Sequence, residues 1–474
     1  MPNDAHIKFG TSGWRAIVAD EFTHHNVRRA VRGIARHVAR QKPIDGKGHR
    51  VLVGRDPRYM GETFVDIAAQ VLEQYGVTPL VIGEVTPTPA ISYEIMRAKC
   101  DGAINFTASH NPPEYNGIKF NSSDGAPALP EVTKSIEAEV VAGDADPGTP
   151  VTGNPAKRQS VDVKQAYLAR LREVVDLDVI KKSGMKIVYD AFWGAGMSYP
   201  DTLLREAGIP VTSVHNERDV LFGGHAPEPE DEMFEAARAK MKETGAKIVI
   251  ATDGDADRFG IVDVDGTFIQ PNHLIALLFD YLVEARGWKN GVAKSVATTN
   301  MINALAKKHG VELHETPVGF KYIGELIKQD KIAIGGEESA GMSIRHHVPE
   351  KDGIIAGLLC AEAIARQGKS LGEQLRDLFA KVGSFYPLRE NFRLTPEVKE
   401  KFTSKLKSDP RELGGLKVAN IVRTDGLKLL FDDGSWVLYR LSGTEPVVRV
   451  YSDARSAESS SKLSEAAKQW VLQS

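Results

Sequence analysis

The sequence predicts a chain of several α/β domains with mainly parallel sheets, followed by a smaller antiparallel α+β domain. Three observations point there. Through most of the chain, short β-rich apolar runs alternate with stretches of helical spacing, the order that builds parallel sheets with helices on their faces. After about Gly383 the texture changes to short strands separated by turn residues. The 474 residues are also too many for one hydrophobic core, which suggests three domains or four at roughly 150 residues each.

The elements follow in order. Val51 to Gly54 is strand-like and ends in Arg55-Asp56-Pro57, Glu62 to Tyr75 has helical spacing, and Thr78 to Gly83 is again a strand. Gly102 to Thr107 looks like a buried strand. Lys186 to Asp190 and Lys247 to Ala251 are strands, with a helix over Met233 to Glu243 before the latter. Ala293 to Thr298, Met301 to His309 and Val311 to Glu315 repeat the strand–helix–strand order. Ile354 to Ala365 is an apolar helix, with Asp352 placed to cap it. Leu416 to Val422, Leu427 to Phe431, Ser435 to Arg440 and Val447 to Tyr451 are short strands, divided by turns such as Asp432-Asp433-Gly434 and closed by a helix over Ala457 to Val471. Gly143 to Pro155, rich in Gly, Pro, Asp and Thr, has the composition of a linker, and the segment around Gly266 to Pro271 opens a third unit. The resulting expectation is domains over 1–150, 151–265, 266–383 and 384–474.

Composition excludes several classes. A formal net charge of −3 provides no global basic field for nucleic acid or an anionic membrane. Two cysteines, Cys100 and Cys360, form neither a disulfide framework nor a zinc ligand set. The first residues lack the basic start and apolar stretch of a secretory signal, and the most apolar helix candidate is too short to span a bilayer. A reducing cytoplasm is the expected setting, with no nucleic-acid or membrane partner.

Four motifs carry chemistry. The first is Thr107-Ala108-Ser109-His110-Asn111-Pro112-Pro113, where Ser109 leaves a strand end and the prolines stop any helix from following. Ligands of open α/β sheets bind at such carboxyl ends, although an isolated turn serine can simply satisfy its own backbone. It is not a Gly-x-Ser-x-Gly elbow, which disfavours a Ser-His-Asp triad. The second is Asp253-Gly254-Asp255-Ala256-Asp257-Arg258, with three carboxylates at alternate positions after a strand. Like charges so close raise one another's pKa unless a cation sits among them. Oxygen ligands favour Mg2+, Mn2+ or Ca2+ over zinc. An EF-hand would need Gly at Arg258 and Glu at Val264. A solvated acidic turn is the plainer alternative. The third is Arg440-Leu441-Ser442-Gly443-Thr444-Glu445-Pro446 with Arg449 close behind, suited to a phosphate cradle or to a mere strand connection. The fourth is Gly335-Gly336-Glu337-Glu338-Ser339-Ala340-Gly341, a flexible polar loop able to contact sugar hydroxyls. A serine is a weak nucleophile alone, and a divalent cation changes that, so the first two motifs together point to phosphoryl chemistry.

These four motifs, in this order and with Phe9-Gly10-Thr11-Ser12-Gly13-Trp14-Arg15 at the start, resemble the α-D-phosphohexomutases over nearly the whole chain. The resemblance implies four domains around a central cleft: three related α/β domains and a C-terminal TATA-box-binding-protein-like domain. It implies a phosphoserine at Ser109, Mg2+ held by Ser109, Asp253, Asp255 and Asp257, and sugar contacts from Glu337 and Ser339. Arg440, Ser442, Gly443, Thr444 and Arg449 would hold the non-reacting phosphate. Arg15 and Arg258 would offset charge in transfer, while Gly319 and Lys321 would touch substrate. Lys351, in Glu350-Lys351-Asp352-Gly353, is the candidate general base, with His110 and Lys119 as second candidates. Ala16 departs from the glycine common after the opening arginine.

The implied activity is interconversion of glucose 1-phosphate and glucose 6-phosphate, possible also for mannose phosphates. Glucose 1,6-bisphosphate would be both intermediate and activator, in a monomer or homodimer. A dedicated phosphomannomutase or phosphoglucosamine mutase is the alternative within the family. A metal-dependent sugar-phosphate phosphatase and a sugar-phosphate-binding protein are the alternatives outside it.

Overall fold

A computed structural model describes residues 4–10, 13–145, 157–441 and 447–473. Two compact units emerge from the contacts. The first comprises the described residues up to Ile269 together with Ile327–Gln329 and Ala340–Leu371. The second comprises Gln270–Leu326, Asp330–Ser339 and the described residues from Gly372 onward.

The first unit holds two sheets. The larger runs in the order Trp14–Ile17, Tyr115–Ser122, Gly102–Phe106, Arg50–Arg55, Thr78–Ile82, Gln159–Val161. Its last three pairings are parallel and its first two antiparallel. Helix His24–Ala39 packs beside it, its first turn capped by Thr23, whose side chain accepts from Asn26 N. Phe22, Ile34, Phe64, Phe106 and Ile118 meet in the core. Gly143, expected in a linker, instead lies inside helix Pro130–Ala145, where a Cβ would come within 2.7 Å of Arg32 Nε. Its role is close approach, not chain reversal, and the rest of that stretch, 146–155, lies outside the described residues.

The second sheet runs Phe259–Asp263, Ile248–Thr252, Ile187–Asp190, Val211–Val214, parallel except for its first pair. The helix expected from Met233 begins as a 3-10 turn over Asp231–Phe234 and becomes α-helical at Glu235–Thr244, a tightening common at helix ends. Helix Gly353–Gln367 rests on the sheet. Gly357 lies so close that a Cβ would meet Ile250 Cγ2 at 2.1 Å, and Asp352 caps it by accepting from the amides of Ile354 and Ile355.

In the second unit Leu313–Thr316, Gly291–Ser295 and Ile332–Glu337 form parallel pairs. The expected strand Ala293 to Thr298 ends at Ser295, where the chain turns through a bond from Thr298 N to Ser295 O of 3.0 Å. The C-terminal sheet is antiparallel in the order Tyr386–Arg393, Val447–Ala454, Trp436–Leu441, Leu427–Phe431, Leu416–Val422, Glu412–Leu413, with helix Ala457–Leu472 against it. Strand Tyr386–Arg393 has no clear apolar alternation. It is an edge strand, and its charges and Pro387 suit that place. Among the described residues no helix is long and apolar enough to cross a membrane.

Candidate active site

Ser109 sits just past the carboxyl end of strand Gly102–Phe106 in a left-handed backbone conformation, φ +50°. It is buried, 1% exposed. Non-glycine residues adopt such a φ only when their surroundings over-determine it. Here Arg58 does so. Its guanidinium, itself buried, donates to the carbonyls of Ser109 (2.8 Å), Asn111 (2.6 Å), Pro112 (2.8 Å) and Tyr115 (2.9 Å). Asp56 anchors Arg58 Nε at 3.1 Å and accepts from Thr107 Oγ1 at 2.6 Å, while Thr107 Oγ1 accepts from Ser109 N at 2.9 Å.

The aspartate loop links strands Ile248–Thr252 and Phe259–Asp263, which fold back on each other as a hairpin. Asp253, Asp255 and Asp257 are all buried and each offers a carboxylate oxygen within 4.8 Å of the others. The hairpin carries this cluster to Ser109: its Oγ donates to Asp253 Oδ2 at 2.7 Å. Lys119, from the neighbouring strand Tyr115–Ser122, donates to Asp255 at 2.5 Å and Asp257 at 2.7 Å. Lys351 Nζ lies 2.7 Å from Asp257 and 3.3 Å from Glu350. Thr88 Oγ1 donates to Asp255 Oδ2 at 2.5 Å.

The carboxylates are not equivalent. Burial, then the charges of Asp255 and Asp257, push the Asp253 carboxyl well up. Burial also opposes ionisation of Asp257, but Lys119, Lys351 and Arg258 outweigh it and hold that carboxyl far below the usual range. Both lysines are correspondingly raised despite burial, by Asp255 and Asp257 for Lys119 and by Asp257 and Glu350 for Lys351. His110 is pushed well down, first by burial and then by Arg258 and Arg15. Arg15 donates to Asn111 Oδ1 at 2.6 Å and Arg258 to Glu228 at 2.8 Å. The first unit thus assembles Ser109, the three aspartates, Arg15, His110, Lys119, Arg258 and Lys351.

The donor set fits a hard divalent cation. All ligands are oxygens, and the buried Oδ1 atoms of Asp255 and Asp257 have no hydrogen-bond partner among the described residues.

The second unit carries the remaining candidates. The fourth motif is not a flexible loop throughout: Gly335, Gly336 and Glu337 belong to buried strand Ile332–Glu337. A Cβ on Gly335 would meet Ile323 Cγ2 at 2.3 Å, and one on Gly336 would meet Ile275 Cδ1 at 2.7 Å, so these glycines admit neighbouring side chains. Glu337 Oε1 accepts from Gly319 N at 2.7 Å. Ser339 is half-buried in the turn that follows, and Lys321 Nζ lies 5.6 Å from the Tyr322 ring centre. Arg440 and Arg449 are direct cross-strand partners, so their side chains leave one face of the sheet together, an arrangement that favours an anion. Ser442, Gly443 and Thr444 lie outside the described residues.

Sequence reasoning missed Asp56, Arg58 and Thr88. Arg55-Asp56-Pro57 was visible as a strand end, but a charged pair following a strand looks like ordinary solvated chain. Only its burial against Ser109 reveals its purpose.

Comparison with known proteins gives this geometry a family. Models described as phosphoglucomutase/phosphomannomutase alpha/beta/alpha domains I, II and III match residues 6–146, 165–266 and 270–382, and the C-terminal domain model matches 396–468. The chain is 32% identical over 453 residues to a phosphoglucomutase/phosphomannomutase of Thermococcus kodakarensis, covering 95% of each. It is 30% identical to the "Probable phosphoglucosamine mutase" of Methanosphaera stadtmanae, again over 95% of each. A crystal structure from Thermus thermophilus, described as a proposed phosphomannomutase, superposes with a TM-score of 0.84 at 32% identity, covering 99% of this chain and 100% of that one. Three α/β domains and a C-terminal one are thus shared architecture. The chain belongs to the phosphoglucomutase/phosphomannomutase family, whose members are isomerase-type phosphotransferases.

Proposed function

We propose that this chain interconverts glucose 1-phosphate and glucose 6-phosphate through a phosphoserine at Ser109, and that it also turns over mannose phosphates. One observation carries the reading: the Ser109 hydroxyl donates at 2.7 Å into a buried carboxylate triad that has orphaned oxygens. Asp253, Asp255 and Asp257, with an oxygen on Ser109, would hold Mg2+, which supplies Lewis-acid neutralisation of phosphoryl charge when bound.

The chain's own residues do the rest. As the bond between Ser109 Oγ and phosphorus breaks, a sugar hydroxyl oxygen bonds to that phosphorus and gives up its proton. Lys351, as the neutral amine, is the candidate to take that proton, with His110 and Lys119 as second candidates, while Arg15 and Arg258 offset charge on the transferring group. The glucose 1,6-bisphosphate so formed returns its other phosphate to Ser109, and the sugar oxygen regains a proton. Added bisphosphate would prime enzyme that has lost its phosphoryl group. Glu337 and Ser339 would read hydroxyls, Gly319 and Lys321 would touch the sugar phosphate, and Arg440, Ser442, Gly443, Thr444 and Arg449 would grip the non-reacting phosphate. We assign these roles to four domains over 1–150, 151–265, 266–383 and 384–474, in a cytoplasmic enzyme.

A coupled assay across glucose, mannose and glucosamine 1-phosphates, with and without the bisphosphate and with free phosphate monitored, tests this. Isomerisation of glucose 1-phosphate that depends on the bisphosphate is the expected result. Phosphate release without isomerisation would overturn the mutase reading, and a strong preference for glucosamine phosphate would move the substrate assignment.

A further inference from the structure

Two consecutive backbone amides in the second unit are held by carboxylates from different elements. Gly319 N donates to Glu337 Oε1 at 2.7 Å, and Val318 N donates to Asp425 Oδ2 at 3.1 Å. The same Asp425 oxygen accepts from Arg440 Nε at 2.7 Å. One oxygen therefore touches both the backbone just ahead of Gly319 and the guanidinium proposed to grip phosphate.

The surroundings make that contact directional. Arg440 lies directly across from Arg449, and like charges facing each other repel. Asp425 draws one of them to a defined place. Binding through Nε takes the side edge of the guanidinium fork, and bidentate recognition of an oxyanion can use the terminal Nη edge. On the other side, Gly319 is held at φ +130°, a conformation L side chains rarely adopt, so the loop depends on its hydrogen bonds to stay in place. Val318 itself packs against the apolar cluster of Val296, Ala297, Trp436, Leu438 and Tyr451, which joins the two sheets of this unit.

We propose that Asp425 is a positioning residue that aims Arg440 at the non-reacting phosphate and pins the Val318–Gly319 backbone with the same carboxylate oxygen. A carboxylate beside a phosphate-binding arginine sacrifices some attraction for the anion. What it contributes is a single orientation, so phosphate grip and loop order become coupled.

The inference rests on Arg440 as a phosphate ligand, and the test separates the two. KM and kcat for glucose 1-phosphate, and calorimetric binding of glucose 6-phosphate, are measured on the full chain for wild type, Arg440→Ala, Asp425→Ala, Asp425→Asn and the Asp425→Ala/Arg440→Ala double variant. Asp425→Ala should raise KM about ten-fold with kcat within about three-fold, inside the worth of one charge-assisted hydrogen bond. Asp425→Asn keeps the shape and loses the charge; it should raise KM at least about three-fold with the melting temperature unchanged, and it decides the question if Asp425→Ala folds poorly. In the Arg440→Ala background, Asp425→Ala should weaken binding by clearly less than it does with Arg440 present, the remainder reporting the Val318–Gly319 backbone that it also pins. Unchanged KM in Asp425→Asn, or full additivity in the double variant, would overturn the proposal. Unchanged binding in Arg440→Ala would instead overturn the phosphate assignment beneath it.

Discussion

Replacing Arg58 by methionine should both destabilise the first unit and disable the serine. The guanidinium is 0% exposed and donates to four backbone carbonyls of the Ser109 loop as well as to Asp56. Each orphaned buried acceptor costs about 1–3 kcal/mol, so four give a gross loss of roughly 4–12 kcal/mol. Relaxation and water entry recover part of that. Breaking a buried ion pair by removing one partner costs about 3–5 kcal/mol. We therefore expect a loss near 4 kcal/mol, a large share of the ~5–15 kcal/mol that holds a typical domain together. Because Ser109 is kept at φ +50° by these bonds, its Oγ should also leave Asp253. Thermal melting reports the first effect. Intact mass after incubation with glucose 1,6-bisphosphate reports the second, as a fall in phosphoserine occupancy. Arg58→Lys should be intermediate, since one ammonium cannot reach four diverging carbonyls. A variant Arg58→Met that loses under about 1 kcal/mol and still phosphorylates normally would refute the argument.

Other outcomes follow from the same contacts. Ser109→Ala should abolish turnover and lack the phosphorylated mass; because the hydroxyl is buried on Asp253, it should also change stability by about 1–2 kcal/mol, and near-normal activity would contradict the mechanism. Mg2+ should raise the melting temperature of wild type, and Asp255→Asn should weaken that response along with the rate; an identical metal-induced shift in the variant would remove Asp255 from the ligand set. Arg440→Ala should weaken glucose 1-phosphate and glucose 6-phosphate alike, by about 1.5–3 kcal/mol, and impairment toward only one would argue against a shared phosphate grip. Lys294 is buried beside Lys428 and pushed down to about 7, first by burial and then by that neighbour, from an ordinary 10.5. The unfolded chain then binds more protons between those values, so stability at this site rises from pH 7 toward 10.5, by up to about 1.4 kcal/mol per pH unit. Lys294→Met should flatten the rise in melting temperature between pH 7.5 and 9; an unchanged slope would show that Lys294 titrates normally.

Elements whose pattern is local could be read from residue order alone. Strand Gly102–Phe106 lies within the expected segment, helix Met301–His309 has the expected bounds, and Asp352 caps helix Gly353–Gln367 as its position suggested. Periodicity and capping act within a few residues, so a single chain displays them. The serine and aspartate motifs were also legible, because three carboxylates at alternate positions call for a cation, which the Ser109 motif can share. Whatever depends on distant residues came only with folding in space. The bond from Ser109 to Asp253 spans 144 positions, and Lys119 reaches Asp257 across 138. Burial turned Arg58, nondescript in sequence, into the support of the Ser109 loop, and folding paired Lys351 with Asp257. Gly335 and Gly336, which suggested flexibility, are strand residues whose missing side chains admit Ile323 and Ile275. Charge state and packing are set by neighbours in space, and residue order along one chain does not name those neighbours until the chain has folded.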